Sequence, residues 1–218
     1  METIKTSLHH SILLPRNNAP IHPTILLIHG RGADENDLLG LAPYLDRRFF
    51  VISVQAPFRF AHGGYTWYDL READTPDPHQ FMESYSKLTQ SLSDFRQHYP
   101  VDAEHVFFLG FSMGTVMAYA LSLAQPGIAK GVVAHSGYVP LGTPLEFQWQ
   151  KQDAISYFIA HGTLDPIIPI EAARKARELL SKTKATLTYR EYPIHHQISE
   201  ESLRDAAYWL RNLLEGVN

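Results

Sequence analysis

Residues 106–121 constrain the fold most tightly. Val106-Phe107-Phe108-Leu109 is an apolar, strand-like run. It passes directly into Gly110-Phe111-Ser112-Met113-Gly114, and that into the helix-like run Thr115-Val116-Met117-Ala118-Tyr119-Ala120-Leu121. A strand that feeds a helix without a spacer must turn sharply, which pushes the central serine to the tip of the turn. Glycines two before and two after that serine relieve the crowding such an elbow creates. The five-residue pattern says little alone, because Gly and Ser are common. The strand before it and the helix after it give it meaning.

The rest of the chain has the same rhythm. Short apolar runs alternate with amphipathic ones, which predicts an α/β fold with a mainly parallel sheet. Strands are expected at residues 24–29, 50–55, 105–109, 131–135, 155–160 and 186–192, with an edge strand at 11–14. Most are continuous Val/Ile/Leu/Phe runs, as expected where helices cover both sheet faces. Phe81, Tyr85, Leu88, Leu92, Phe95 and Tyr99 recur at helical spacing and mark one face of a helix that ends near Pro100. Leu203, Ala206, Ala207, Leu210, Leu213 and Leu214 mark a C-terminal helix, with Ser199 as its N-cap. Pro169 is expected to open a helix that runs through Leu180. The helix after Ser112 is apolar nearly all round and should be central. Residues 57–78 resist a regular assignment; their aromatics predict an ordered loop over a site.

With 218 residues, one domain over residues 1–218 is expected. The net charge of −4 and scattered basic residues predict no nucleic-acid partner. The absence of cysteine rules out disulfides, thiolate catalysis and cysteine-based zinc sites. Met1-Glu2-Thr3-Ile4-Lys5-Thr6 lacks the apolar core of a signal peptide, and no run is long enough for a membrane span. A cytoplasmic protein is the expectation. Twelve histidines raise the question of a metal. No His-Glu-x-x-His or comparable ligand spacing is present, so no metal is expected.

A serine nucleophile needs a base, an orienting carboxylate and an oxyanion hole. When the serine sits in such an elbow, the three residues follow the order Ser, Asp, His along the chain. Asp165, in His161-Gly162-Thr163-Leu164-Asp165-Pro166, follows an expected strand and so lies at the carboxyl edge, where open α/β sheets build sites. Its rival Asp153 precedes that strand and falls on the opposite edge. The base belongs between the last strand and the last helix, where His195 and His196 are adjacent; the residues alone leave both open. One oxyanion donor is expected from the Met113 N–H, the other from the glycine-rich turn His29-Gly30-Arg31-Gly32-Ala33-Asp34. That turn lacks the spacing of a phosphate-binding loop. His135-Ser136-Gly137 has no elbow pattern and is expected to be structural.

Together these motifs resemble the phospholipase/carboxylesterase family of α/β-hydrolases, which includes acyl-protein thioesterases. The anchors occur in order: Leu27-Ile28-His29-Gly30-x-Gly32, Trp67-Tyr68-Asp69, Gly110-Phe111-Ser112-Met113-Gly114 and His161-Gly162-x-x-Asp165. The family's closing Gly-His-x-Ile/Val is matched by His196-Gln197-Ile198, with His195 in the glycine's place, so the resemblance selects His196 as base. It implies an α/β-hydrolase without a large cap and a carboxylic-ester hydrolase acting through Ser112, Asp165 and His196. It implies no cofactor. It makes the Arg31 N–H the second oxyanion donor and puts Trp67 near the substrate pocket; a core aromatic pinning the loop is the competing reading for Trp67. Met113 stands where thioesterase members often have Gln, and Thr115 where a second glycine is common. A small-molecule ester is the expected partner, of short to medium acyl length. A thioester, a lysophospholipid and a purely ligand-binding role are the alternatives, and a homodimer is left open.

Overall fold

The computed structural model describes residues 1–17, 19–71 and 75–216. Its centre is a seven-stranded sheet in the order β1-β3-β2-β6-β7-β8-β9. The strands are β1 (His10–Leu13), β2 (His22–Ile28), β3 (Phe50–Val54), β6 (Val101–Phe111), β7 (Gly131–His135), β8 (Ser156–Gly162) and β9 (Thr186–Tyr192). β1 pairs antiparallel with β3, and every other pairing in this sheet is parallel. β4 (Phe58–Arg59) and β5 (Tyr65–Thr66) form a separate small hairpin. The helices are α1 (Pro78–His98), α2 (Met113–Ala124), α3 (Glu171–Leu180) and α4 (Glu200–Glu215).

Alternation along the strands divides the core in two. On β2, Leu26 and Ile28 join one apolar cluster, while Ile25 and Leu27 join the other. The first cluster takes in Phe81, Leu88 and Phe95 of α1, the buried face of α2, and Ala173, Ala176 and Leu180 of α3. The second takes in Ala206, Leu210 and Leu213 of α4, and Leu38 of a short 3₁₀ helix (Leu38–Tyr44). The sheet is thus covered on both faces, and no inserted cap domain is present among the described residues. α2 is buried at every position from Met113 to Leu123, as its apolar composition predicts. Each large apolar side chain removed from water there contributes about 1.5–3 kcal/mol.

Helix ends follow local chemistry. Asp77 caps α1, its carboxylate accepting from the His79 and Gln80 N–H groups. Ser199 and Ser202 form a reciprocal capping box at α4, and Gly216 ends that helix with φ of 67°. α3 starts at Glu171, slightly later than expected, after a turn in which the Ala172 N–H donates to the Pro169 carbonyl. β6 starts earlier than expected, at Val101, because Val101 pairs with His22 of β2; the register then shifts, and pairing resumes at Val106 with Thr24.

The strand order sets the site. β3 and β6 flank β2 on opposite sides, so the chain's direction of winding changes there. In open α/β sheets the crevice beyond the carboxyl ends at such a point is where ligands bind. The segments after β2 and β6, carrying Gly30-Arg31 and Ser112, meet in this crevice.

Candidate active site

Ser112 joins β6 to α2 with φ of 53° and ψ of −120°. That left-handed conformation is strained for a residue with a Cβ and needs support from its surroundings. The Ser112 N–H donates to His135 O at 2.9 Å. Thr115 Oγ1 lies 2.7 Å from both Gly110 O and His135 O, so its single proton ties the turn to β7. The two glycines are steric requirements. A Cβ on Gly110 would stand 2.6 Å from Thr115 Cα, and one on Gly114 would overlap the Ile28 carbonyl.

Three side chains from separate segments converge here. His196 Nε2 lies 2.8 Å from Ser112 Oγ, and His196 Nδ1 lies 2.7 Å from Asp165 Oδ2. With Nδ1–H donating to the carboxylate, Nε2 is left to accept the serine proton. Asp165 is fixed by its own turn, its Oδ1 accepting from the Ile167 and Ile168 N–H groups at 2.9 Å each. Burial pushes the Asp165 carboxyl upward, but the Ile168 N–H, His196 and the Ile167 N–H outweigh it and hold its pKa below the usual value. Behind it, His161 Nε2–H donates to Ile168 O at 2.8 Å and stands 3.4 Å from Asp165 Oδ2. Burial holds His161 neutral by lowering its pKa.

His195 points elsewhere. Its Nδ1 donates to Leu164 O at 2.9 Å, pinning the segment that carries His196 to the loop that carries Asp165. His135 is fully buried between Ser136 Oγ at 3.0 Å and Ser202 Oγ at 2.9 Å. Burial lowers its pKa to about 3, so it is a neutral link from β7 to the α4 cap. Ser136 shares a φ of 53° with Ser112, but its side chain is buried in that link.

The segment after β2 lies against the elbow, where a Cβ on Gly30 would meet Ser112 Cβ at 3.3 Å. It is tied on several sides. His29 Nε2 accepts from the Ala56 N–H at 3.0 Å, the Trp67 indole N–H donates to His29 O at 2.8 Å, and the Gly32 N–H donates to Tyr65 O at 2.7 Å. The Arg31 and Met113 N–H groups have no hydrogen-bond partner among the described residues. Met113 N–H also stands at the α2 N-terminus, where the helix dipole favours negative charge.

A cleft of about 340 Å³ opens on Ser112. Tyr68, Leu70, Met113, Tyr138, Ile167 and Ile168 form most of its wall, with Arg31 beside them. Tyr68 and Tyr138 hydroxyls pair at 3.1 Å, and burial raises the Tyr68 pKa well above its ordinary value, so it stays a neutral phenol. Trp67 corrects one expectation. It is fully buried, lies tilted against the His29 ring with centroids 5.5 Å apart, and does not line the cleft. Its function is to hold the backbone that carries Gly30 and Arg31, and Tyr68 next to it faces the cleft instead. The expected loop at 57–78 contains the β4–β5 hairpin; its residues 72–74 lie outside the described residues. Sequence reasoning assigned no role to Ile167 and Ile168. An apolar pair directly after Asp165-Pro166 was the signal for them. Among the described residues, no group of three or more His, Cys, Asp or Glu is arranged to hold a metal ion.

Comparison with known proteins agrees with this architecture. The family model described as Phospholipase/Carboxylesterase matches residues 10–214. Acyl-protein thioesterase 1 of Candida albicans is 25% identical, over 94% of this chain and 98% of that protein. Carboxylesterase SOBER1 of Arabidopsis thaliana is 25% identical over 69% of each chain. The crystal structure of the Bacillus cereus carboxylesterase superposes with a TM-score of 0.83, at 25% identity, covering 94% of each chain. A carboxylesterase from Mesorhizobium loti gives 0.85 at 18% identity, over 96% of this chain and 97% of that one, a likeness of fold. With a family match that runs from β1 into α4 and a fold that superposes on a solved carboxylesterase, this chain belongs to the phospholipase/carboxylesterase family of α/β-hydrolases.

Proposed function

We propose that the protein is a serine carboxylesterase that hydrolyses soluble carboxylic esters of short to medium acyl length through an acyl-enzyme on Ser112. The observation that carries this reading is the hydrogen-bonded series Ser112 Oγ, His196 and Asp165, with spacings of 2.8 and 2.7 Å. His196 takes the serine proton as Oγ attacks the acyl carbon, and Asp165 stabilises the imidazolium that results. The Arg31 and Met113 N–H groups receive the oxyanion. His196 then returns the proton to the leaving alcohol, and the alcohol departs. His196 then takes a proton from a water molecule as it attacks the acyl-enzyme, and returns that proton to Ser112 Oγ as the acid is released.

The cleft's size and wall support the substrate range. A volume of about 340 Å³ with a mainly apolar lining suits a small ester and leaves little room for a long acyl chain. Among the described residues no helix is long and apolar enough to cross a membrane. The relatives named acyl-protein thioesterase favour a second reading, the same machinery acting on thioesters. Initial rates on matched esters and thioesters of increasing acyl length test both. Each methylene that fits adds up to about 0.8 kcal/mol of burial, so kcat/KM should rise and then fall where the cleft ends. Oxygen esters of short to medium length should lead. A consistent lead for long-chain thioesters would replace the first reading with the second.

A further inference from the structure

Arg31 supplies the only charged side chain among the residues that line the cleft. Its guanidinium carbon lies 5.3 Å from the centroid of the Phe60 ring, a cation–π contact that occupies one flat face. It has no carboxylate partner among the described residues. The nearest acids in sequence are engaged elsewhere. Asp34 accepts from the Asn36 N–H at 2.8 Å, while Glu35 lies 3.4 Å from His9 and accepts from the Asn36 side chain. The backbone beneath Arg31 is fixed by the Gly32–Tyr65 hydrogen bond, and Phe60 by the Phe60–Gly64 bond in the same hairpin. The guanidinium is therefore held at the cleft with no partner on its donor edge among the described residues. Such an edge matches a carboxylate or phosphate in a bidentate fashion.

We propose that Arg31 forms an anion subsite, and that the preferred substrates are esters carrying a carboxylate or phosphate group a few bonds from the scissile carbonyl. The proposal rests on the Ser112 reading above. Its geometry follows from one residue having two ends: the Arg31 N–H meets the ester oxygen, so the side chain reaches only groups close to that carbonyl. The protein's net charge of −4 does not attract anions as a whole, so the preference is local to this cation. Because the guanidinium is solvent-exposed, salt weakens the effect.

Matched esters test it, with phenol release followed by chromatography. Phenyl monoadipate against phenyl methyl adipate places the charge on the acyl side. The butyrate ester of para-hydroxyphenylacetate against that of its methyl ester places it on the leaving group. A phosphonate in place of that carboxylate separates the two anion types. At low ionic strength at least one anionic ester should exceed its neutral twin by about tenfold in kcat/KM, and sodium chloride should shrink the excess. Arg31→Gln should bring that ratio near one, and Arg31→Lys should keep part of it. Ratios at or below one on every arm overturn the proposal, as does a preference that survives Arg31→Gln. Should Arg31→Gln not fold, the salt dependence and Arg31→Lys decide. Failure of the Ser112 reading looks different, since Ser112→Ala would then still turn over both twins. An enzyme that hydrolyses none of these esters contradicts both readings.

Discussion

His195 and His196 are neighbours in sequence and differ in everything else. His196 reaches Ser112 and Asp165, whereas His195 turns back to Leu164 O. His196→Ala should lower kcat by about 10⁴-fold or more. His195→Ala removes one hydrogen bond to a backbone carbonyl and should cost less than about tenfold. Steady-state kinetics of the two purified variants check the ranking, and a reversal would move the base by one residue. Residue types alone could not separate this pair. The segment turns tightly, with the Ile194 N–H donating to Tyr192 O and the Gln197 N–H to His195 O, and those turns decide where each imidazole points. Trp67 taught the same lesson. A lone aromatic next to a cleft-facing Tyr68 can face either way, and backbone geometry chose the core.

Among the elements, the join between β6 and α2 has the least freedom. The first core cluster and the elbow require the N-terminal turn of α2 to press against the end of β2, and Gly114 makes that approach possible. Gly114→Ala should destabilise the fold by about 3 kcal/mol or more, because the Ile28 backbone cannot yield as a side chain would. Denaturant unfolding measures it, and near-normal stability would show that the strand and helix can separate without penalty. Much at this scale was legible. Buried strands are continuous apolar runs, and amphipathic helices declare their period, so 131–135 and 186–192 coincide with β7 and β9. The β4–β5 hairpin was not legible because each strand has only two residues, too few for alternation to register. Its turn is marked by Gly63-Gly64, both with positive φ, in a stretch whose prolines obscured that signal.

Across the molecule, burial holds several histidines below their ordinary pKa. His10, His29, His135 and His161 all shift down from 6.5 with desolvation as the largest cause, His135 to about 3. The unfolded chain takes up these protons near 6.5, while the folded chain resists until lower pH. The stability they allow is therefore complete above pH 6.5 and lost as pH falls below it. For His135 the loss approaches 1.4 kcal/mol per pH unit between 6.5 and about 3. Asp165, with its pKa below the usual 3.8, adds a further loss that begins as pH falls below 3.8 and is complete once pH is below its own lower value. Unfolding free energy measured at pH 7.5 and at pH 5 should differ by about 2 kcal/mol or more. Equal stability at the two would mean these imidazoles remain accessible to protons in the fold. The count of twelve histidines was visible in the sequence, but which of them the sheet would enclose depended on strand register.

That Ser112 is the nucleophile is tested most directly by labelling it covalently. Intact-mass spectrometry after reaction with a fluorophosphonate, followed by peptide mapping, reads the modified residue. One adduct per chain is expected, on the peptide containing Ser112, and none in Ser112→Ala. An adduct on Ser136, or ester turnover by Ser112→Ala, would contradict it.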